Sequence, residues 1–322
     1  MKKVLRKVVN VVVILVVIII VTLFVMALHN HIKLSLESSK IKNVGTLVNV
    51  DGYKMNVYIE GEKSNNNDST IVLLSGSGIA SPIYDYKVLY SKLSGDYRVA
   101  IIEKFGYGYS DVSGISRDVA TMVEEDRRAL AEAGESAPYV LMPHSMSVLE
   151  AIYWACTYPN EVAAIIGLDM AVPDSYDENN NNIANITLKK IGCFFGFHRF
   201  EIFNPVSNLG LTNEEYEQNK LLNYRNTLNK DVYNECKIVF DNAETVRNMD
   251  ISNVPVLMFT TNLNSEKSSG TWVEAQDDFA DKLNYCIQIK YECGHNLHYY
   301  KANEMAGKIL DFLNNLNNWI CL

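Results

Sequence analysis

Short apolar runs recur along this chain, separated by longer stretches whose apolar residues fall at helical spacing. Thr46-Leu47-Val48-Asn49-Val50 alternates, Asp51-Gly52 supplies a turn suited to positive φ, and Lys54 to Ile59 alternates again. That pattern predicts a β-hairpin. Ile71 to Leu74, Val99 to Ile102, Tyr139 to Met142, Ala163 to Leu168, Val254 to Phe259 and Cys286 to Lys290 read as strands. Helical patterns lie between them at Tyr84 to Leu93, Val119 to Ala133, Met146 to Thr157 and around Val273 to Leu283. A last one carries Met305, Ile309, Phe312, Leu313 and Leu316 on one stripe. Strands alternating with helices imply βαβ crossovers and a mostly parallel sheet. The rhythm stops after Pro173 and resumes at Val254. Between them the chain has no clear strand, carries the run Asn179–Asn182 and reads as a helical insertion.

The N-terminal stretch follows a different rule. Val8 to Leu28 is 21 residues, apolar except for Asn10 and Thr22, and apolar on every face. As a helix it measures roughly 32 Å at about 1.5 Å per residue, enough to cross the hydrocarbon core of a bilayer. Lys2, Lys3, Arg6 and Lys7 precede it, so the rest of the chain is expected on the extracytoplasmic side of the cell membrane. The run is longer than the core of a cleavable signal, and Met26-Ala27-Leu28 is a poor cleavage site, which favours an uncleaved anchor. The expected organisation is a cytoplasmic stub and anchor at 1–30, a linker at 31–43, a core at 44–173 and 251–322, and a cap insertion at 174–250.

A net charge of −9, with no basic cluster outside the first seven residues, argues against nucleic-acid binding. The expected partners are the bilayer and a small-molecule substrate. Six cysteines, Cys156, Cys193, Cys236, Cys286, Cys293 and Cys321, match no metal-binding spacing, and their first reading is as small buried apolar residues. An exported domain could also oxidise some of them. Asn185-Ile186-Thr187 fits a glycosylation sequon, as chance would produce in so Asn-rich a chain.

The chemistry concentrates where Tyr139-Val-Leu-Met-Pro-His-Ser145-Met-Ser-Val-Leu-Glu150 turns from a buried strand straight into a helix. A serine at such a joint needs a sharp turn that exposes Oγ at the carboxyl edge of the sheet. Small residues two before and two after it let strand and helix approach, hence the usual Gly-x-Ser-x-Gly. Here those positions are Pro143 and Ser147. Taken alone, Ser145 could equally cap a helix. Ser75-Gly76-Ser77-Gly78 follows the first parallel strand, and Glu103-Lys-Phe-Gly106-Tyr-Gly108-Tyr-Ser110-Asp111 follows the next.

From about Thr46 onward the chain resembles the α/β-hydrolase superfamily, closest to its single-domain esterase, lipase and proline-iminopeptidase-like branch. The resemblance implies an α/β-hydrolase fold, a mostly parallel twisted sheet flanked by helices with a helical cap insertion, here behind an N-terminal transmembrane helix. The family's Asp-x-x-Gly-x-Gly-x-Ser element stands here with Glu103 first, and its oxyanion-loop His-Gly appears as Ser75-Gly76. Gly294-His295 stands after the last strand.

The resemblance implies Ser145 as nucleophile, His295 as general base, and the backbone N–H groups of Ser77 and Met146 as oxyanion donors. His298 and His144 compete for the base; strand alternation should turn His144 away from the site. In relatives the acid most often follows the strand Val254–Phe259, where this chain has Asn264 with Glu266 nearby. Some relatives carry it one strand earlier, where Asp169 stands. Asn cannot supply the charge, so Asp169 is the first choice and Glu266 the second.

The activity this implies is carboxylic-ester cleavage through an acyl-enzyme, with no metal or organic cofactor. A serine at this place argues against dehalogenase and epoxide-hydrolase chemistry, which use Asp there. A proline-iminopeptidase-like peptidase or amidase, or a non-catalytic binding protein on the same fold, are the alternatives.

Overall fold

Residues of β3 (Thr70–Leu74) and β4 (Val99–Glu103) are buried on both faces, the pattern of a sheet covered on two sides. The computed structural model describes residues 2–63, 69–176, 183–262 and 271–316. Asn264, Glu266, Cys321, the run Asn179–Asn182 and the middle of the loop Gly61–Ser69 lie outside the described residues. The remaining strands are β1 (Thr46–Val50), β2 (Tyr53–Glu60), β5 (Tyr139–Pro143), β6 (Val162–Leu168), β7 (Val256–Thr261) and β8 (Cys286–Tyr291). The eight lie in the order β1-β2-β4-β3-β5-β6-β7-β8. β2 is antiparallel to both β1 and β4, and every other pairing is parallel.

Strand alternation sends successive β3 residues into two separate cores. Val72 and Leu74 join one with α4 (Val119–Glu132) and α5 (Val148–Thr157). Ile71 and Leu73 join the other with α2 (Pro82–Asp85), α3 (Lys87–Tyr90) and α11 (Leu297–Asn314). The single helix expected over Tyr84 to Leu93 is thus two short ones. The break falls at Tyr86, whose backbone (φ −94°, ψ 2°) leaves the helical region and whose ring is fully buried.

α1 (Lys2–Ser38) is one helix of 37 residues, long and apolar enough to cross a membrane, with mean hydropathy 3.6 over its most apolar window. It continues ten residues past Leu28, through most of the stretch read as a linker. Its last turns are tied to the helical segment between β6 and β7, which comprises α6 (Ile183–Phe194), α7 (Asn213–Asn226), α8 (Lys230–Lys237) and α9 (Val239–Val246) and is called the cap below. Arg199 meets Glu37 at 2.8 Å and Asn30 Oδ1 at 2.6 Å, and Asn30 Nδ2 donates to Cys193 O at 3.1 Å.

Buried charges hold α8 on the body. Lys104 Nζ lies 2.7 Å from both Glu150 of α5 and Glu235 of α8, and the Tyr107 hydroxyl donates to Glu235. Asp231 accepts from the N–H groups of Ser113 and Gly114 at 2.7 Å each. Asp126 of α4 is wholly buried near this group, and neither carboxyl oxygen has a hydrogen-bond partner among the described residues. Burial pushes its carboxyl well above the usual range, the nearby Glu150 adds to the shift, and Lys104 offsets part of it. The folded chain therefore holds a proton that the unfolded chain releases above about pH 4, and stability falls as pH rises from there toward the folded value. Asp126→Asn, a neutral isostere, is expected to raise the thermal midpoint, and by more at pH 8 than at pH 5. Thermal melts across that range check it; an equal change at both pH values would mean that Asp126 is charged in the fold.

Candidate active site

β5 is followed by an extended His144 (φ −107°, ψ 132°), and Ser145 then takes φ +54°. Left-handed backbone is rare for a residue other than Gly, Asn or Asp. Ser145 to Ser147 forms a single 3₁₀ turn that runs into α5. The Ser147 hydroxyl accepts from His144 N–H at 3.0 Å and lies 2.7 Å from Leu74 O, so the residue standing at the usual Gly stitches the turn to β3. Pro143 lies beyond the last regular pair of β5 with β6, Leu141 with Ile165, where a missing N–H breaks no ladder with that strand. Gly76 comes so close that a Cβ there would lie 3.2 Å from Ser145 Cβ and 2.8 Å from His144 Nδ1.

The next strand ends in a second left-handed residue, Asp169, at φ +42°. Its N–H donates to Phe259 O at 2.7 Å, and the N–H of Ala171 donates to Ser145 O at 3.0 Å. The Asp169 side chain is fully buried and sits 2.6 Å from His295 Nδ1. Four further donors converge on it: Thr261 N–H at 3.1 Å, Thr261 Oγ1 at 2.9 Å, and Trp272 Nε1 and Gln276 Nε2 at 3.1 Å each. Burial alone would raise this carboxyl. The bonds and charge of His295, with Gln276 and Trp272, outweigh burial and hold it below its ordinary range, so Asp169 is ionised. The His295 side chain keeps 35 % of its surface exposed. Asp169 and His295 are thus brought together, on loops adjoining the one that carries Ser145.

Alternation orients His144 relative to its strand, and the loop before α11 meets its ring there. The rings of His144 and His295 are 4.8 Å apart. His144 Nε2 lies 3.3 Å from His295 O, and a carbonyl only accepts, so Nε2 carries the proton. Nδ1 is then an acceptor for the Tyr86 hydroxyl at 2.8 Å, and that hydroxyl in turn accepts from Gly76 N–H at 3.3 Å. The chain of bonds runs from the loop after β3, through Tyr86 and His144, to the backbone of His295. Burial, with His295 and His298 beside it, pushes His144 well below the usual imidazole range, consistent with a neutral ring. His298 is spent elsewhere, at 3.2 Å from Asp85.

Among the described residues no acceptor meets the N–H of Ser77 or of Met146. The Ser77 hydroxyl is 3.2 Å from Cys236 Sγ of α8, so the cap reaches the loop after β3. The neighbouring Gly78 N–H donates to Tyr107 at 3.3 Å. Glu103, first in its motif, is buried and accepts from Tyr109 N–H at 2.7 Å and Asn56 Nδ2 at 3.0 Å. Its position shapes the loop that follows β4. Of the described cysteines, all five are free and only Cys293 is buried, against the first reading of the set. No group of three His, Cys, Asp or Glu among the described residues is arranged to hold a metal ion.

No family model matches the chain. It is 34 % identical over 300 residues to the uncharacterized protein YbdG of Bacillus subtilis (strain 168), covering 89 % of this chain and 90 % of that one. The fold is similar to that of the epoxide hydrolase CorEH, with a TM-score of 0.63 and 15 % identity over 85 % of this chain and 99 % of that one. A loop variant of haloalkane dehalogenase DbeA from Bradyrhizobium elkanii aligns with a TM-score of 0.61 and 14 % identity, over 85 % and 97 % of the two chains. With the strand order and the left-handed joint after β5, the likenesses to solved structures show an α/β-hydrolase fold, and the likeness to YbdG gives the family: the chain belongs to one family with YbdG.

Proposed function

We propose that this chain is a membrane-anchored serine hydrolase that cleaves carboxylic esters through an acyl-enzyme. The observation that carries the reading is the buried, ionised Asp169 at 2.6 Å from His295 Nδ1, beside a serine held at φ +54°. In this reading Ser145 Oγ attacks the ester carbonyl while His295 Nε2 takes its proton. Asp169 keeps the other imidazole proton on Nδ1 and stabilises the imidazolium that forms. The N–H groups of Ser77 and Met146 hold the oxyanion. The protonated His295 gives its proton to the departing alkoxide. It then deprotonates a water, whose attack on the acyl carbon releases the acid and restores Ser145. A serine at this joint supports acyl transfer over the alkyl-enzyme chemistry of relatives that carry Asp there. The exposed apolar run of α1, Val8 to Leu28, behind four cations supports the anchor, with the hydrolase domain on the extracytoplasmic side.

A fluorophosphonate probe is expected to label the protein at Ser145, and Ser145→Ala to abolish labelling and ester hydrolysis with the thermal midpoint little changed. Undiminished labelling of that variant would remove the assignment. Asp169→Asn should lower kcat by about 10⁴-fold, because the imidazole is then held in the wrong tautomer. A loss of less than tenfold in steady-state assays would take the acid's role from Asp169. The full chain should stay in the membrane pellet through carbonate washing, and protease added to intact cells should remove the hydrolase domain. Release of the full-length chain by carbonate would exclude the anchor.

A further inference from the structure

The cap meets α1 below the point where the apolar run ends, not only beyond it. Leu23, Phe24 and Ala27 form one wall of a cavity of about 690 Å³, and Phe194, Phe195 and Tyr224 of the cap face them. A second groove, about 320 Å³, lies between Val25 and Met26 on one side and Phe195 and Phe200 on the other. In a helix rising about 1.5 Å per residue, Leu23 lies roughly 8 Å below Leu28 along the axis. If α1 spans the bilayer, as read above, this corner of the cap is within the hydrocarbon of the outer leaflet.

The surface of that corner fits the same place. Leu188, Ile191, Phe194, Phe200 and Phe203 are each more than half exposed, and Ile202 is 85 % exposed. An apolar patch of this kind on a domain facing water alone is unusual. It adjoins α1, whose apolar residues from Val8 to Val21 are bare around the whole helix. Polar groups also line part of the cavity: its α1 wall runs from Ile20 through Asn30 and His31 to Leu34, and His198 and Arg225 line it from the cap. Its volume is that of an ordinary ligand site, about 300–1,000 Å³.

We propose that the cavity between α1 and the cap is a binding site for the acyl chain of a bilayer lipid. The tail lies along Ile20 to Leu28 against Phe194 and Phe195, and the lipid's polar group sits at the level of Asn30, His31 and Arg225. This rests on the anchor reading and not on the hydrolase reading. The helix that walls the cavity also touches the loops around the candidate site. Arg225 donates to Gly108 O, and Asn226 Nδ2 donates to Ala80 O at 2.9 Å.

The test uses the full chain carrying Ser145→Ala, so that no outcome depends on turnover. It is reconstituted in phosphatidylcholine vesicles containing phosphatidylcholine with a diazirine in mid-acyl chain, irradiated, and mapped by mass spectrometry. Adducts are expected on 194–203 and on Tyr224 as well as on 20–28. Filling the cavity by Ala27→Trp should lose the adducts on Tyr224 and Phe195 while those on Val11 to Ile19 persist. Leu23→Trp fills the same space from a turn lower and repeats the test if the first variant perturbs the helix. Carbonate-resistant protein with adducts on α1 alone would overturn the site, as would undiminished Tyr224 labelling in both filled variants. Protein that washes from the vesicles in carbonate would overturn the anchor reading and the site together.

Discussion

Two neighbouring strands leave this sheet through non-glycine residues in the left-handed region, Ser145 after β5 and Asp169 after β6. Backbone of that kind costs about 1–3 kcal/mol at each residue and persists only where its surroundings over-determine it. The surroundings here are specific. Ala171 N–H holds Ser145 O, Phe259 O holds Asp169 N–H, and the Asp169 carboxylate collects donors from β7, from α10 (Thr271–Asp281) and from His295. A buried carboxylate without such partners would take up a proton or expel the chain around it. One satisfied charge thus fixes the end of β6, the start of α10 and the loop before α11. The position of His295 depends on all three.

Below that charge, the shape of the site rests on close backbone approach. Gly76 can lie against Ser145 and His144 only because it has no side chain, and that contact lets Tyr86 bridge Gly76 and His144. The cap is positioned by a different device. Lys104, Glu150 and Glu235 are almost wholly buried, and ions so placed give little net stability but make wrong docking costly, since any displacement leaves a charge unpaired.

Much of this was legible in the residues themselves. The strand periods gave β1 to β8 nearly residue for residue, because the central strands are apolar on both faces and short enough to stand out. Ser145 and His295 were marked by their places directly after strands. Asp169 emerged because Asn264 occupies the place where a carboxylate is usual, while a carboxylate closes the strand before. The donors around Asp169 have no local signature in the sequence. Thr261, Trp272 and Gln276 stand 92, 103 and 107 residues from the carboxylate they serve. Alternation orients His144 within its strand but says nothing of the loop before α11, which meets its ring. The apolar run is shorter than α1 because polar residues after Leu28 end the run without ending the helix.

The contacts of Arg199 with Glu37 and Asn30 also have a mechanical meaning. A tilt or pull on α1 reaches the body through residues 39–45 into β1, through the bonds of Lys40 and Lys42 to Gln218 and Glu214 of α7, and through the clasp of Arg199 into the cap. From the cap, Glu235 and Lys104 link α8 to α5, the helix that follows the 3₁₀ turn of Ser145. The stiffness of the joint between α1 and the cap therefore sets how much of a displacement of α1 is passed on toward α5, and how much is taken up before it arrives.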